Sequence, residues 1–205
     1  MGPGRALGTA AGGYGLEVGS GGHDPGLTET AKRVGVALKR AEVPFALGGG
    51  CAAHARGGPG SEHDVDFFVC AEDVEHILTM LSQQGFRVVR PPEDWLVKVY
   101  DEDVMVDLIH HAAGRPVTRD MLSRADALEV GSVRMPVLSV TDLVINKLSS
   151  FGPHSCDFSR PLAMVRALRE QVDWGTVRAE TKDNDYAFAF LVLAERLGIL
   201  PKEMP

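Results

Sequence analysis

The sequence predicts an α/β (α+β) protein. A small mixed β-sheet flanked by helices occupies about 27–138, and a helical segment follows over 139–205. Three observations predict it. Short runs of β-branched and aromatic residues, such as Asp64–Val69 and Val104–Ile109, recur between turn signals in the first part. Beyond residue 139 apolar residues fall at helical spacing and no strand-like run remains. The composition, 44% hydrophobic and 24% charged over 205 residues, is that of an ordinary soluble chain, enough for one domain or one with a small appendage.

Each element has its own signal. Residues 1–26 are Gly-rich with little apolar pattern, read as disordered, and lack the apolar core of a signal peptide. Over 27–41, Ala31, Val34, Val36, Leu38 and Ala41 approximate a helical stripe that Pro44 ends. Phe45-Ala46-Leu47 is a short strand that stops at Gly48, Gly49 and Gly50, and Asp64–Val69 is the next strand. Asp73 can cap a helix to Gln84 with Val74, Ile77, Leu78 and Leu81 inward and Gly85 as its stop. Residues 86–89, 95–100 and 104–109 read as strands, the last two joined by the acidic turn Asp101-Glu102-Asp103. A short helix over 118–125 and a strand over 133–138, broken by Pro136, close the sheet region. Helices are expected over 141–150, 161–171, 174–180 and 186–197, with Phe188 and Phe190 both packed inward.

Charge and cysteine content exclude several classes. A formal net charge of -7 argues against a broad nonspecific nucleic-acid surface, though a local basic pocket survives that average. No apolar run approaches the length of a membrane span. Three widely spaced cysteines, Cys51, Cys70 and Cys156, fit a reduced, cytoplasmic setting and no disulfide framework.

The chemistry concentrates around 45–69. Side chains alternate along a strand, so Asp64 and Asp66 share a face while Val65, Phe67 and Val69 take the other. Two adjacent carboxylates repel, and a hard cation such as Mg²⁺ is their natural compensator. A third acid, Asp107, lies in an otherwise apolar strand, where burial without a partner costs roughly several kcal/mol. If the two strands are neighbours, three carboxylates converge in the arrangement that two-metal-ion phosphoryl or nucleotidyl transfer needs. Gly48, Gly49 and Gly50, without Cβ atoms, allow close backbone approach to a phosphate.

The sequence Leu47-Gly48-Gly49-Gly50, then Asp64-Val65-Asp66-Phe67, then Asp107 on a later strand resembles the polymerase-β-type nucleotidyltransferase superfamily. The segment from Thr141 to Leu148 containing Lys147, followed by Cys156-Asp157, is similar to a motif of AbiEii-like and MenT-like toxin nucleotidyltransferases. The resemblance covers roughly 45–170. It implies a nucleotidyltransferase catalytic domain over 27–138 and transfer of an NMP from an NTP, ATP among them, to an acceptor hydroxyl. Two Mg²⁺ ions, or Mn²⁺, would be held by Asp64, Asp66 and Asp107. By the same likeness Lys147 contacts the triphosphate, Ser61 helps bind the nucleotide, and Asp157 helps position the nucleotide or the acceptor. The acceptor would be an RNA 3′ end such as tRNA, a small molecule such as an antibiotic, or a protein side chain. A toxin-type member would also have an antitoxin partner.

Two departures stand out. Ser61 is displaced by one position from the family's Ser or Thr, and no Arg precedes the acid pair, Arg56 being the nearest substitute. Cys156 stands where relatives often carry Arg before the aspartate. Two other classes compete. Gly48-x-Gly50-x-x-Ala53 matches a dinucleotide-binding fingerprint, but Gly57, Gly58, Pro59 and Gly60 cut the following helix to two turns at most. A catalytically inactive NTP-binding module is the other, and the intact Asp64, Asp66 and Asp107 speak against it.

Overall fold

The computed structural model describes residues 24–61 and 63–200. It begins with α1 (Pro25–Arg40), capped by Asp24 accepting from the Gly26 N–H at 2.8 Å. Then come β1 (Phe45–Leu47), α2 (Gly49–Ala55) and β2 (Asp64–Val69). A 3₁₀ turn (Ala71–Asp73) leads into α3 (Val74–Gln83), followed by β3 (Arg87–Val89), β4 (Leu96–Asp101) and β5 (Val104–Ile109). A small hairpin, β6 (His111–Ala112) and β7 (Arg115–Pro116), precedes α4 (Arg119–Ser123), β8 (Asp126–Val130) and β9 (Val133–Val137). The chain ends in α5 (Val140–Ser149), α6 (Ser159–Leu168), α7 (Trp174–Thr181) and α8 (Asp185–Arg196).

Seven strands form one mixed sheet in the order β3-β4-β5-β2-β1-β9-β8. The β2–β5 and β1–β9 pairs are parallel and the others antiparallel. This is the mixed sheet that the short β-branched runs predict. One face, carrying Val65, Phe67, Val106 and Leu108, packs into a core with Ala31, Val34 and Leu38 of α1 and Ile77, Leu78 and Leu81 of α3. A second apolar cluster joins Ala53 of α2 to α5–α8, with the rings of Phe151, Phe158 and Phe190 packed at tilted and edge-on angles, 5.2–5.8 Å apart. No helix of the described residues is long and apolar enough to cross a membrane.

The structure also departs from the sequence reading. Helix α1 starts at Pro25, where the fixed φ of proline suits a first turn, so two of the residues assigned to a disordered N-terminus are helical. The rest of that segment, 1–23, lies outside the described residues. Asp73 sits at the start of α3 without a capping bond, its carboxylate turned to Arg119 at 3.3 Å. Strand β8 and the β6–β7 hairpin were not expected. Phe188 is 66% exposed, whereas Phe190 is fully buried. Proline inside β9 is tolerated because its missing N–H faces β1, which pairs with β9 in register at Leu47 and Val137 alone. Leu138 donates there to the Leu47 carbonyl at 2.9 Å, and the partner strand β1 is only three residues long.

Candidate active site

The parallel pairing of β2 and β5 places Asp64 against Met105 and Asp66 against Asp107. Residues two apart share a face, so all three carboxylates project from the side of the sheet opposite α1 and α3. Their oxygens come within 4.8 Å of one another. Asp107 is buried, and Asp64 and Asp66 are half-buried. Burial, reinforced by the Asp64 and Asp107 charges, pushes the Asp66 carboxyl up to about 7 while Lys147 and Lys98 pull the other way. Asp107 is also raised, by burial first, against the Lys98 hydrogen bond. Such a group is destabilised as it stands and stabilised by a cation. Its three hard oxygen donors suit Mg²⁺ or Mn²⁺.

The glycine corner is shaped by its neighbours. The Gly48 N–H donates to the Asp66 carbonyl at 2.8 Å, fixing the end of β1 against the acid pair. A Cβ on Gly49 would lie 1.7 Å from Asp66 Oδ2, and Gly49 has φ +55°, a conformation glycine adopts at little cost. A Cβ on Gly48 would meet the Phe68 ring at 2.3 Å, and one on Gly50 would meet Ser61 at 2.7 Å. The missing Cβ atoms thus let Phe68, Asp66 and Ser61 pack against the corner. Ser61, buried, donates to Asp64 Oδ1 at 3.1 Å and orients that carboxylate.

A cleft of about 410 Å³ opens from these acids. Gly49, Gly50, Ser61, Asp64 and Asp66 line one end, Phe68, Ile109 and Leu143 give it an apolar wall, and α5 and α6 contribute Lys147, Arg160 and Met164. Lys147 therefore meets Asp64 and Asp66 in one cleft, and Asp107 stands behind them, outside its lining. Asp157 stands outside that lining, exposed at the start of α6, where the Ser159 hydroxyl (2.6 Å) and N–H (2.9 Å) donate to it. Those bonds, with Lys147 and Arg160 nearby, hold its carboxyl below the usual range. Arg56 does not serve the cleft. It donates to the carbonyls of Leu138 (2.6 Å) and Val137 (2.9 Å) and to Asp126 (2.7 Å), tying α2 to β9 and β8.

Sequence reasoning missed Lys98 and Arg160. Lys98 lies opposite Asp107 on β4, its ammonium 3.0 and 3.3 Å from the two carboxylate oxygens. Burial opposes its charge, but the Asp107 hydrogen bond and charge hold it above the ordinary lysine range. Cys51, beneath the acids, is raised to about 12 by burial and by Asp66 and Asp64, and so stays a neutral thiol.

Two other features look site-like and are already satisfied. A larger cavity of about 550 Å³ lies between the β6–β7 hairpin and the starts of α5 and α7. Its Asp142 is bound by Arg124 and Ser139, and its Glu180 by Arg115. The cluster of Cys70, Glu72 and Asp73 is answered by Arg119, at 3.5 Å from Glu72 and 3.3 Å from Asp73.

Known structures share this architecture. The solution structure of the antibiotic-resistance factor ANT(2'')-Ia superposes with a TM-score of 0.59 at 15% identity, over 82% of this chain and 96% of that one. Its crystal structure in complex with adenylyl-2''-tobramycin gives 0.56 at 14%, over 82% and 98%. Lincomycin-bound LnuA, a lincosamide antibiotic adenylyltransferase, gives 0.45 at 11%, over 62% and 87%. At 15% and 14% identity the likeness to the two ANT(2'')-Ia structures is one of fold. No curated protein matches the chain. A family model does match, from residue 28 in the first helix to residue 183 beyond the helices that line the cleft, and the chain belongs to that family, described as "Nucleotidyl transferase of unknown function (DUF2204)".

Proposed function

We propose that this chain transfers an NMP from an NTP to an acceptor hydroxyl, releasing pyrophosphate, with divalent ions held by Asp64, Asp66 and Asp107. The observation that carries this reading is the register of β2 against β5, which sets Asp66 beside Asp107 at the glycine corner. Mg²⁺ or Mn²⁺, when bound, would stabilise charge on the phosphoryl oxygens and favour ionisation of the attacking hydroxyl. The chain's own residues do the rest. Asp64, oriented by Ser61, and Asp66, seated against Gly49, supply the oxygen ligands nearest the cleft. Asp107 would ligate beside them or take the acceptor's proton.

Lys147 and Arg160 bring positive charge to the cleft from α5 and α6, suited to a triphosphate. The wall of Phe68, Ile109, Leu143 and Met164 offers apolar surface to a base or sugar. Asp157 contributes by holding the start of α6, and with it Arg160, in place. The acceptor is an RNA 3′ end, a small molecule or a protein side chain; the overall negative charge favours a small acceptor, and the Lys147/Asp157 motif favours the toxin-type branch.

The test is incubation with each α-³²P-labelled NTP and Mg²⁺, together with total RNA or a panel of small-molecule acceptors. Label should move to one acceptor class with wild type and not with Asp66→Asn. Transfer retained in folded Asp66→Asn would refute the reading. Label on a tRNA-sized band would select the RNA branch, with an antitoxin as the expected partner. NTP binding without transfer to any acceptor would indicate an inactive binding module.

A further inference from the structure

The acid group contains a fourth charged member that the metal-site motif does not include. Lys98 and Asp107 are paired across the antiparallel β4–β5 ladder, so register, and not chance side-chain reach, brings them together. The Lys98 ammonium contacts both oxygens of Asp107, at 3.0 and 3.3 Å, and lies 3.3 Å from the Met105 sulfur. The Lys98 and Asp107 side chains are 25% and 10% exposed, so the pair is shielded from bulk water. Packing alone does not call for a cation here, since an apolar side chain of similar length would fill the space without the desolvation cost. A charge kept at such a place, in contact with one of three converging carboxylates, acts on the carboxylates.

We propose that Lys98 is a positioning residue of the nucleotidyl-transfer site, fixing the orientation of the Asp107 carboxylate from the β4 side, across β5 from Asp64 and Asp66, and occupying the place of a second cation, so that the nucleotide-free site takes one divalent ion. This rests on the reading of the site given above. The three carboxylates carry three negative charges when ionised, and Lys98 offsets one of them. The remaining two match a single divalent ion, and a second ion enters with the triphosphate. Removing Lys98 then has two opposed effects. The emptied carboxylate and the lost positive charge favour ion binding, while Asp107 loses the contact that fixes its orientation, and turnover falls.

The experiment counts Mn²⁺ bound to the nucleotide-free protein by electron paramagnetic resonance, and measures steady-state transfer, for wild type, Lys98→Met and Lys98→Arg. Wild type should bind one Mn²⁺. Lys98→Met should bind Mn²⁺ about tenfold more tightly or take up a second ion, since a nearby like charge has been removed. Its kcat should fall on the order of 100-fold with KM for the NTP little changed, as expected for a misplaced reacting group. Lys98→Arg, which keeps the charge and can grip both oxygens, should retain one ion and most of the turnover. A purely structural lysine would leave Mn²⁺ affinity unchanged in Lys98→Met, and that result overturns the proposal while sparing the wider reading. Two ions bound to nucleotide-free wild type would likewise overturn it. Wild type that binds no Mn²⁺ would overturn both.

Discussion

Asp66→Asn should make the metal-free protein more stable while abolishing its activity. Burial and two neighbouring carboxylates raise Asp66 from 3.8 to about 7 in the folded chain. The folded state therefore holds a proton that the unfolded state releases between those values. Stability is lost as pH rises from about 4 to about 7, the reverse of a salt-bridged aspartate. The full span corresponds to about 4 kcal/mol at pH 8, an upper bound because the half-buried carboxylate keeps some water. Asparagine keeps the shape and removes the charge. For a chain of this size about 4 kcal/mol is roughly 8–16 °C in Tm. We expect a rise of at least about 5 °C at pH 8 in EDTA, shrinking to about a quarter of its pH 8 value at pH 4.5. Differential scanning fluorimetry across that pH range is the assay. Adding Mn²⁺ should raise the wild-type Tm and leave Asp66→Asn unmoved. A variant less stable than wild type at pH 8, or a difference independent of pH, would refute the argument that these acids repel one another in a desolvated group.

Other substitutions separate the roles of neighbouring residues. Gly49→Ala adds a methyl group that collides with Asp66 at a backbone φ of +55°; urea unfolding should show a loss of about 2–4 kcal/mol, with transfer activity lost as well. A Gly49→Ala protein of wild-type stability would mean that the corner is not packed as described. Lys147→Ala lies on an exposed position facing the cleft; KM for the NTP should rise about tenfold with Tm nearly constant. Equal KM in variant and wild type would remove Lys147 from the nucleotide site. Arg56→Ala deletes three hydrogen bonds from a nearly buried guanidinium; the expected loss is about 2–3 kcal/mol of stability, with KM for the NTP unchanged. A raised KM in folded Arg56→Ala would return that arginine to the triphosphate.

Local signals made the acids legible, and long-range ones hid their surroundings. Asp64 and Asp66 stand out because a two-residue period puts both on one strand face, and Asp107 because it interrupts an apolar run. Their meeting depends on β5 returning parallel to β2 after α3 and the β3–β4 hairpin, which no local pattern specifies. Lys98 could have been found. A two-residue turn at Glu102-Asp103 sets Asp101 against Val104, and counting back three pairs sets Lys98 against Asp107. Strand β8 was missed because Asp126, Ala127 and Glu129 are weak strand formers at an exposed sheet edge, held there by pairing to β9. Arg160 and Met164 reach the cleft only through the packing of α6 on α5, so their sequence positions carry no mark of it. From the sequence alone the glycines offer only space for a phosphate. Their contacts with Phe68, Asp66 and Ser61 became visible only once those side chains were placed.

Calorimetric titration of a non-hydrolysable NTP into the wild-type protein, with and without Mg²⁺, tests the carboxylate site most directly. Binding should require the ion, and it should vanish in folded Asp66→Asn. An NTP analogue that binds equally well in EDTA, or equally well to Asp66→Asn, would show that the three aspartates do not hold the metal–nucleotide complex.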